Sequence, residues 1–95
     1  MVLASIHIHL DPQRLDEVNK AVLDCERGLR AGGRCRQWVV TETGPGQYTS
    51  MCFYDNEEEA QKAITEVMQC LRAFGSAMLY FAHRVIHNVV VEHRF

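Results

Sequence analysis

His7 and His9 stand two residues apart in the stretch Val2–Leu10, where apolar and mixed positions alternate strictly. Val2, Ala4, Ile6, Ile8 and Leu10 fall on one side of that alternation; Leu3, Ser5, His7 and His9 fall on the other. In an extended chain both imidazoles share one face, about 6.5–7 Å apart along the strand. Three further histidines, His83, His87 and His93, lie toward the C-terminus. An unperturbed imidazole titrates near about 6.5, which makes His7 and His9 the candidate catalytic proton acceptors. Imidazoles at alternate strand positions also suit a divalent metal. No Asp or Glu lies on this strand to complete such a site, so no metal ligand is assigned. Groups able to meet an organic ligand are Tyr48, Ser50, Cys52 and Tyr54, one face of a second alternating stretch. Trp38, His87 and His93 complete the candidate ligand-binding set; Trp38 reads first as an edge-strand packing or interface residue, with a ring stacked on a ligand as the alternative. Cys52 would act as a nucleophile only with a base in reach; the plainer reading is a small, half-buried residue.

The elements that hold these residues follow from periodicity and punctuation. Val2–Leu10 reads as a strand. Asp11-Pro12 reads as a helix cap followed by proline at the first helical position. The first helix then runs from Pro12 to about Leu29, with Leu15, Val18, Val22, Cys25 and Leu29 as its dry stripe and Gly32-Gly33 as its stop. A second strand spans Cys35–Thr43, and Gly44-Pro45-Gly46 turns it into a third, Gln47–Tyr54. That turn lacks the length and following helix of a phosphate-binding loop. Asp55-Asn56 opens a second helix, whose first turn carries Glu57, Glu58 and Glu59, where the helix dipole favours negative charge. Ala60, Ala63, Ile64, Val67, Met68 and Leu71 form its expected buried face, and Gly75 ends it. Residues 76–85 fit either a short helical turn or extended chain. The last strand is expected from Ile86 to about Arg94, carrying Val89-Val90-Val91.

The order β-α-β-β-α-β defines an α+β, ferredoxin-like sandwich in a single domain: a four-stranded antiparallel sheet with two helices on one face. Right-handed crossovers place the first and third strands in the centre and the second and last at the edges. The last strand then lies beside the first, which brings His87 or His93 toward His7 and His9. Ala4, Ile6, Ile8, Met51 and Phe53 are expected under the helices. Ser5, His7, His9, Tyr48, Ser50, Cys52, Tyr54 and part of the valine run are expected on the open face. Such a mixed apolar and polar face calls for a partner. A homodimer joined through the sheets, with a cavity lined by His7, His9 and Tyr48, satisfies it.

On these features the chain resembles the dimeric α+β barrel superfamily, the group containing antibiotic-biosynthesis-type monooxygenases. The resemblance spans the whole chain and rests on Ser5-Ile6-His7-Ile8-His9, the amphipathic first helix, the Gly44-Pro45-Gly46 hairpin, the acidic start of the second helix and Val89–Val91. It implies a homodimer and a pocket between sheet and helices or within the barrel. It also implies one of a range of activities: cofactor-independent quinol oxidation, haem degradation, small-ring isomerisation or ligand sensing. The quinol-oxidising and haem-degrading branches place an asparagine on the first strand and a histidine on the second long helix. Here His7 and His9 replace the asparagine, no histidine lies between Glu57 and Leu71, and Trp38 is on the second strand. The fold and the dimer are therefore carried over, and no catalytic residue is.

Composition bounds what remains. Ninety-five residues at 47% hydrophobic content make one modest core, and a net charge of −2 gives no footprint for nucleic acid or an anionic membrane. The RNA-binding use of this scaffold needs basic neighbours among exposed aromatics, and the expected open face has no lysine. No apolar run reaches the ~18–20 residues of a membrane span. Four cysteines without a CxxC pair, in a chain that starts directly into a strand, read as reduced thiols of a cytoplasmic protein. The expected function is binding of a small aromatic or conjugated molecule without a cofactor, with monooxygenase or isomerase activity. The alternative is a non-catalytic binding or interaction module that uses the sheet face as its interface.

Overall fold

The computed structural model describes Met1–Phe95. Its elements are β1 (Val2–Leu10), α1 (Leu15–Gly32), β2 (Gln37–Gly44), β3 (Gln47–Tyr54), α2 (Glu57–Lys62), α3 (Ile64–Ala73), β4 (Met78–Phe81) and β5 (Val85–Asn88). A single 3-10 turn, Gly75–Ala77, leads into β4. All strand pairs are antiparallel, in the order β2-β3-β1-β4, with β5 also on β1. This is the expected ferredoxin-like sandwich with β1 and β3 central, and its last strand is split in two.

Residues 76–85 resolve into both candidate forms, a helical turn and then extended chain. The final strand is shorter than expected. Val2 pairs with Asn88, and the Val89 amide reaches the Met1 carbonyl at 3.2 Å. The ladder ends there: the Val89–Val91 run is not a strand, and Val90 and Val91 are exposed.

Local chemistry sets the helix ends. Asp11 does not cap a helix that starts at Pro12. Its carboxylate instead accepts from the Gln13 amide at 2.9 Å in a turn, and α1 begins three residues later than expected, at Leu15. Gly33, at φ 72°, ends α1 by returning its amide to the Leu29 carbonyl. Asn56 caps α2 by accepting from the Glu59 amide at 2.9 Å. The second helical run breaks at Ala63, which turns Ile64 outward and exposes it, whereas Ala60, Ala63 and Val67 are buried as expected.

The core lies between the sheet and the helices. Val2, Ala4, Ile6, Ile8 and Leu10 are all buried there, each contributing about 1–3 kcal/mol through burial. Register decides which residues of β3 join them. Directly opposite residues share a face, and the pairs are Val2–Tyr54, Ala4–Cys52, Ile6–Ser50 and Ile8–Tyr48. Tyr48, Ser50, Cys52 and Tyr54 therefore lie under the helices. Thr49, Met51 and Phe53 pair with His7, Ser5 and Leu3 on the open face. The expected faces of β3 are thus reversed, because alternation separates two sets of residues and leaves their direction to the long-range pairing with β1.

Candidate functional site

An apolar cavity of about 300 Å³ opens between the sheet and the pair α1 and α3. Seventeen of its twenty lining residues are hydrophobic. The floor includes Ile6 and Ile8 from β1 and Trp38 and Val40 from β2; the roof includes Val22 from α1 and Val67 from α3. Alternation explains the floor: the even-numbered residues of β1 and β3, with Trp38 and Val40 of β2, share the helix-facing side of the sheet. Few polar groups reach it, namely Asn19, Tyr48, Ser50, Arg84 and the thiols of Cys25, Cys52 and Cys70. The Trp38 indole donates from Nε1 to Ser50 Oγ at 2.9 Å, which fixes the ring's orientation at the cavity wall.

The residues 82–84 between β4 and β5 position Arg84. Its side chain turns toward the helix side, donates to the Ala60 carbonyl at 2.7 Å and lies 5.6 Å from the Tyr54 ring centroid. Nothing in the sequence pattern singled out Arg84; the only local cue was an arginine in an otherwise apolar stretch. Asn19 was missed as well, because it sits beside the stripe of α1 rather than on it. Tyr54 is wholly buried below the cavity, and burial pushes its phenol pKa up.

The candidate residues divide between the two sides of the sheet. Trp38, Tyr48, Ser50 and Cys52 come together at the cavity, with Tyr54 in the same layer beneath. His7, His9 and His87 lie on the open face. There the His7 and His9 ring centroids are 5.3 Å apart, His9 meets Tyr80 edge-on at 5.6 Å, and His87 Nε2 lies 3.2 Å from Ser5 Oγ. His7 Nδ1 and Thr49 Oγ1 are 3.5 Å apart. His93 joins neither group; it lies on the C-terminal tail with its ring stacked on Phe95. One pocket lined by His7, His9 and Tyr48 is thus ruled out within the chain, since the thickness of the sheet separates them. No three His, Cys, Asp or Glu side chains group closely enough to hold a metal ion. No helix is long and apolar enough to cross a membrane.

No protein-family model and no curated protein matches the sequence. Solved structures match over nearly its whole length. A crystal structure of an antibiotic biosynthesis monooxygenase superposes with a TM-score of 0.74 at 10% identity, covering 96% of this chain and 100% of that one. Rv0793 from Mycobacterium tuberculosis gives 0.73 at 12% identity, covering 98% of both chains. A dimeric ferredoxin-like protein from an uncultured marine organism gives 0.71 at 16% identity, covering 99% of this chain and 91% of that one. The chain therefore has the fold of the antibiotic-biosynthesis-monooxygenase-like, dimeric ferredoxin-like structures. At these identities the likeness establishes the fold alone.

Proposed function

We propose that this chain binds a small, largely apolar, conjugated organic molecule in the cavity between sheet and helices. The cavity itself carries the reading. Its volume of about 300 Å³ is at the lower end for small-molecule sites, and an apolar lining with a few convergent polar groups is the usual character of such sites. Trp38 and Tyr48 offer aromatic surface, and Ser50 and Asn19 offer the polar contacts that would orient a hydroxyl or carbonyl. The protein acts as a homodimer closed through the open sheet face, where Leu3, Val39, Met51, Phe53, Tyr80 and Val85 form an apolar surface around the histidines. The description of one structural neighbour as dimeric supports this assembly. Four free thiols suit a reducing compartment such as the cytoplasm.

The catalytic extension is cofactor-independent oxidation or isomerisation of that ligand, in line with the monooxygenase description of a neighbour. No carboxylate or imidazole lines the cavity. Proton abstraction by His7 or His9 therefore requires the substrate on the open face, within the space enclosed by two sheets. The interaction-module reading uses that same face as a plain interface.

Trp38 is the only tryptophan and lines the cavity, so its fluorescence reports occupancy. Titration with 2-naphthol should quench it saturably with a Kd at or below about 100 µM, equivalent to ~5.5 kcal/mol. Val67→Phe, which fills the cavity, should weaken binding at least tenfold, and His9→Ala should leave it unchanged. Equal binding by the Val67→Phe variant ends the cavity reading. Oxygen uptake on a hydroquinone that is lost in His9→Ala, with 2-naphthol binding intact, would place the chemistry on the open face.

A further inference from the structure

Most arginines of this chain have a carboxylate beside them. Arg14, Arg27, Arg30, Arg34, Arg36 and Arg94 each form an ion pair. Arg72 pairs with none and is exposed on α3, where water hydrates it. Arg84 also pairs with none, but it is half-buried and is the only charged residue lining the apolar cavity.

A guanidinium carries five N–H donors. One donor of Arg84 meets the Ala60 carbonyl at 2.7 Å, and the group lies 5.6 Å from the Tyr54 ring centroid. Its Nε is buried and has no acceptor. Arg34 makes the contrast: its Nε is also buried without a hydrogen bond, yet Glu59 and Glu66 each stand 3.2 Å from its guanidinium. The charge of Arg34 is answered within the chain and that of Arg84 is not. Burying a charged donor without a counter-charge is costly, and a bound anion removes that cost.

The contacts of Arg84 also fix its place. Tyr54 and Ala60 belong to the core cluster that holds Ala4 and Leu29, whereas Ile8, Val18 and Phe74 belong to the other. Both clusters contribute to the cavity lining, so Arg84 stands at one end of an otherwise apolar space.

We infer that Arg84 is the receptor for a carboxylate on the ligand, and that the cavity takes an apolar or aromatic monocarboxylic acid. This rests on the cavity reading proposed above and names the ligand class. The acid group sits at the Ala4–Leu29 end, and the hydrocarbon body extends along Ile6, Ile8 and Val67. A carboxylate fits better than a phosphate. Its two coplanar oxygens match the guanidinium fork, and its single charge equals the single charge of the lining. A phosphate would bring up to two charges against one cation, among walls that offer few other donors.

The test is calorimetric titration of the full chain at pH 7 with 2-naphthoate, its neutral isostere 2-naphthamide, and 2-naphthol. The parent should bind 2-naphthoate at least tenfold more tightly than 2-naphthamide. Arg84→Gln should erase that difference, leaving the two within about threefold of each other. Val67→Phe should weaken 2-naphthoate at least tenfold, as expected of an anion held inside the cavity. Saturable binding of 2-naphthol without a preference for 2-naphthoate over the amide overturns the inference and leaves the cavity reading intact. A preference that survives Arg84→Gln or Val67→Phe overturns it too, since the anion is then held elsewhere. No binding of any of the three ends both readings. The comparison of acid with amide in the parent decides the matter even if Arg84→Gln fails to fold.

Discussion

Along β1 the even-numbered side chains vanish beneath α1 and α3, while the odd-numbered ones, including both histidines, remain half-exposed on the far side. β3 repeats the division in register, with Tyr48, Ser50, Cys52 and Tyr54 inside and Thr49, Met51 and Phe53 outside. The inner side holds the cavity and the thiols of Cys25, Cys52 and Cys70. The outer side holds the imidazoles and an apolar surface without cover from its own chain. Two neighbouring residues in the sequence can therefore belong to separate functions, and the pleat, rather than distance along the chain, decides which one each serves.

The largest expected effect contrasts adjacent residues. Ile6→Ala should cost about 2–4 kcal/mol in urea unfolding, because it empties a packed position. His7→Ala should change monomer stability by less than ~0.5 kcal/mol. Similar losses for the two would erase the distinction between the faces. Next in size is self-association. Phe53→Glu, on the open face, should raise the dimer dissociation constant at least tenfold in sedimentation experiments, about 1.4 kcal/mol. Val40→Glu, in β2 on the helix side, should leave that constant unchanged while weakening 2-naphthol binding.

The smallest effect belongs to neither face. Arg36 pairs with Asp55 at 2.8 Å in the open, joining the start of β2 to the end of β3. The guanidinium holds the Asp55 carboxyl below its usual range. A carboxylate lowered in the folded state stabilises above its unfolded pKa and loses that contribution as pH falls. The melting temperatures of Arg36→Gln and the parent should thus differ slightly at pH 7 and converge below about pH 4.

Much of this arrangement was legible in the residues themselves. The alternation of β1, the glycine stop of α1, the hairpin at Gly44–Gly46 and the bounds of β3 all follow from local chemistry, and the crossover rule orders the strands. What failed was non-local. Tyr48, Ser50, Cys52 and Tyr54 are no more polar than Thr49, Met51 and Phe53 are apolar, so only the pairing of Ile8 with Tyr48 could orient β3. The β-branched run Val89–Val91 has every propensity for a strand but lacks a neighbour to bond. The start of α1 moved because Asp11 satisfied its own turn instead of a helix terminus. Arg84 and Asn19 reach the cavity only through tertiary placement. The candidate residues were identified as types, and register then sorted them into two places.

The gap at residues 82–84 matters beyond Arg84. A sheet margin that runs unbroken offers a ladder on which a foreign strand can zip up, and proteins guard against this with short or interrupted borders. Here one border consists of two four-residue pieces with a kink between them, so an incoming strand finds no continuous row of amides and carbonyls. The opposite border, β2, is eight residues long and irregular only between Glu42 and Gly44. Any strand-by-strand growth of this protein into fibres should therefore begin at β2.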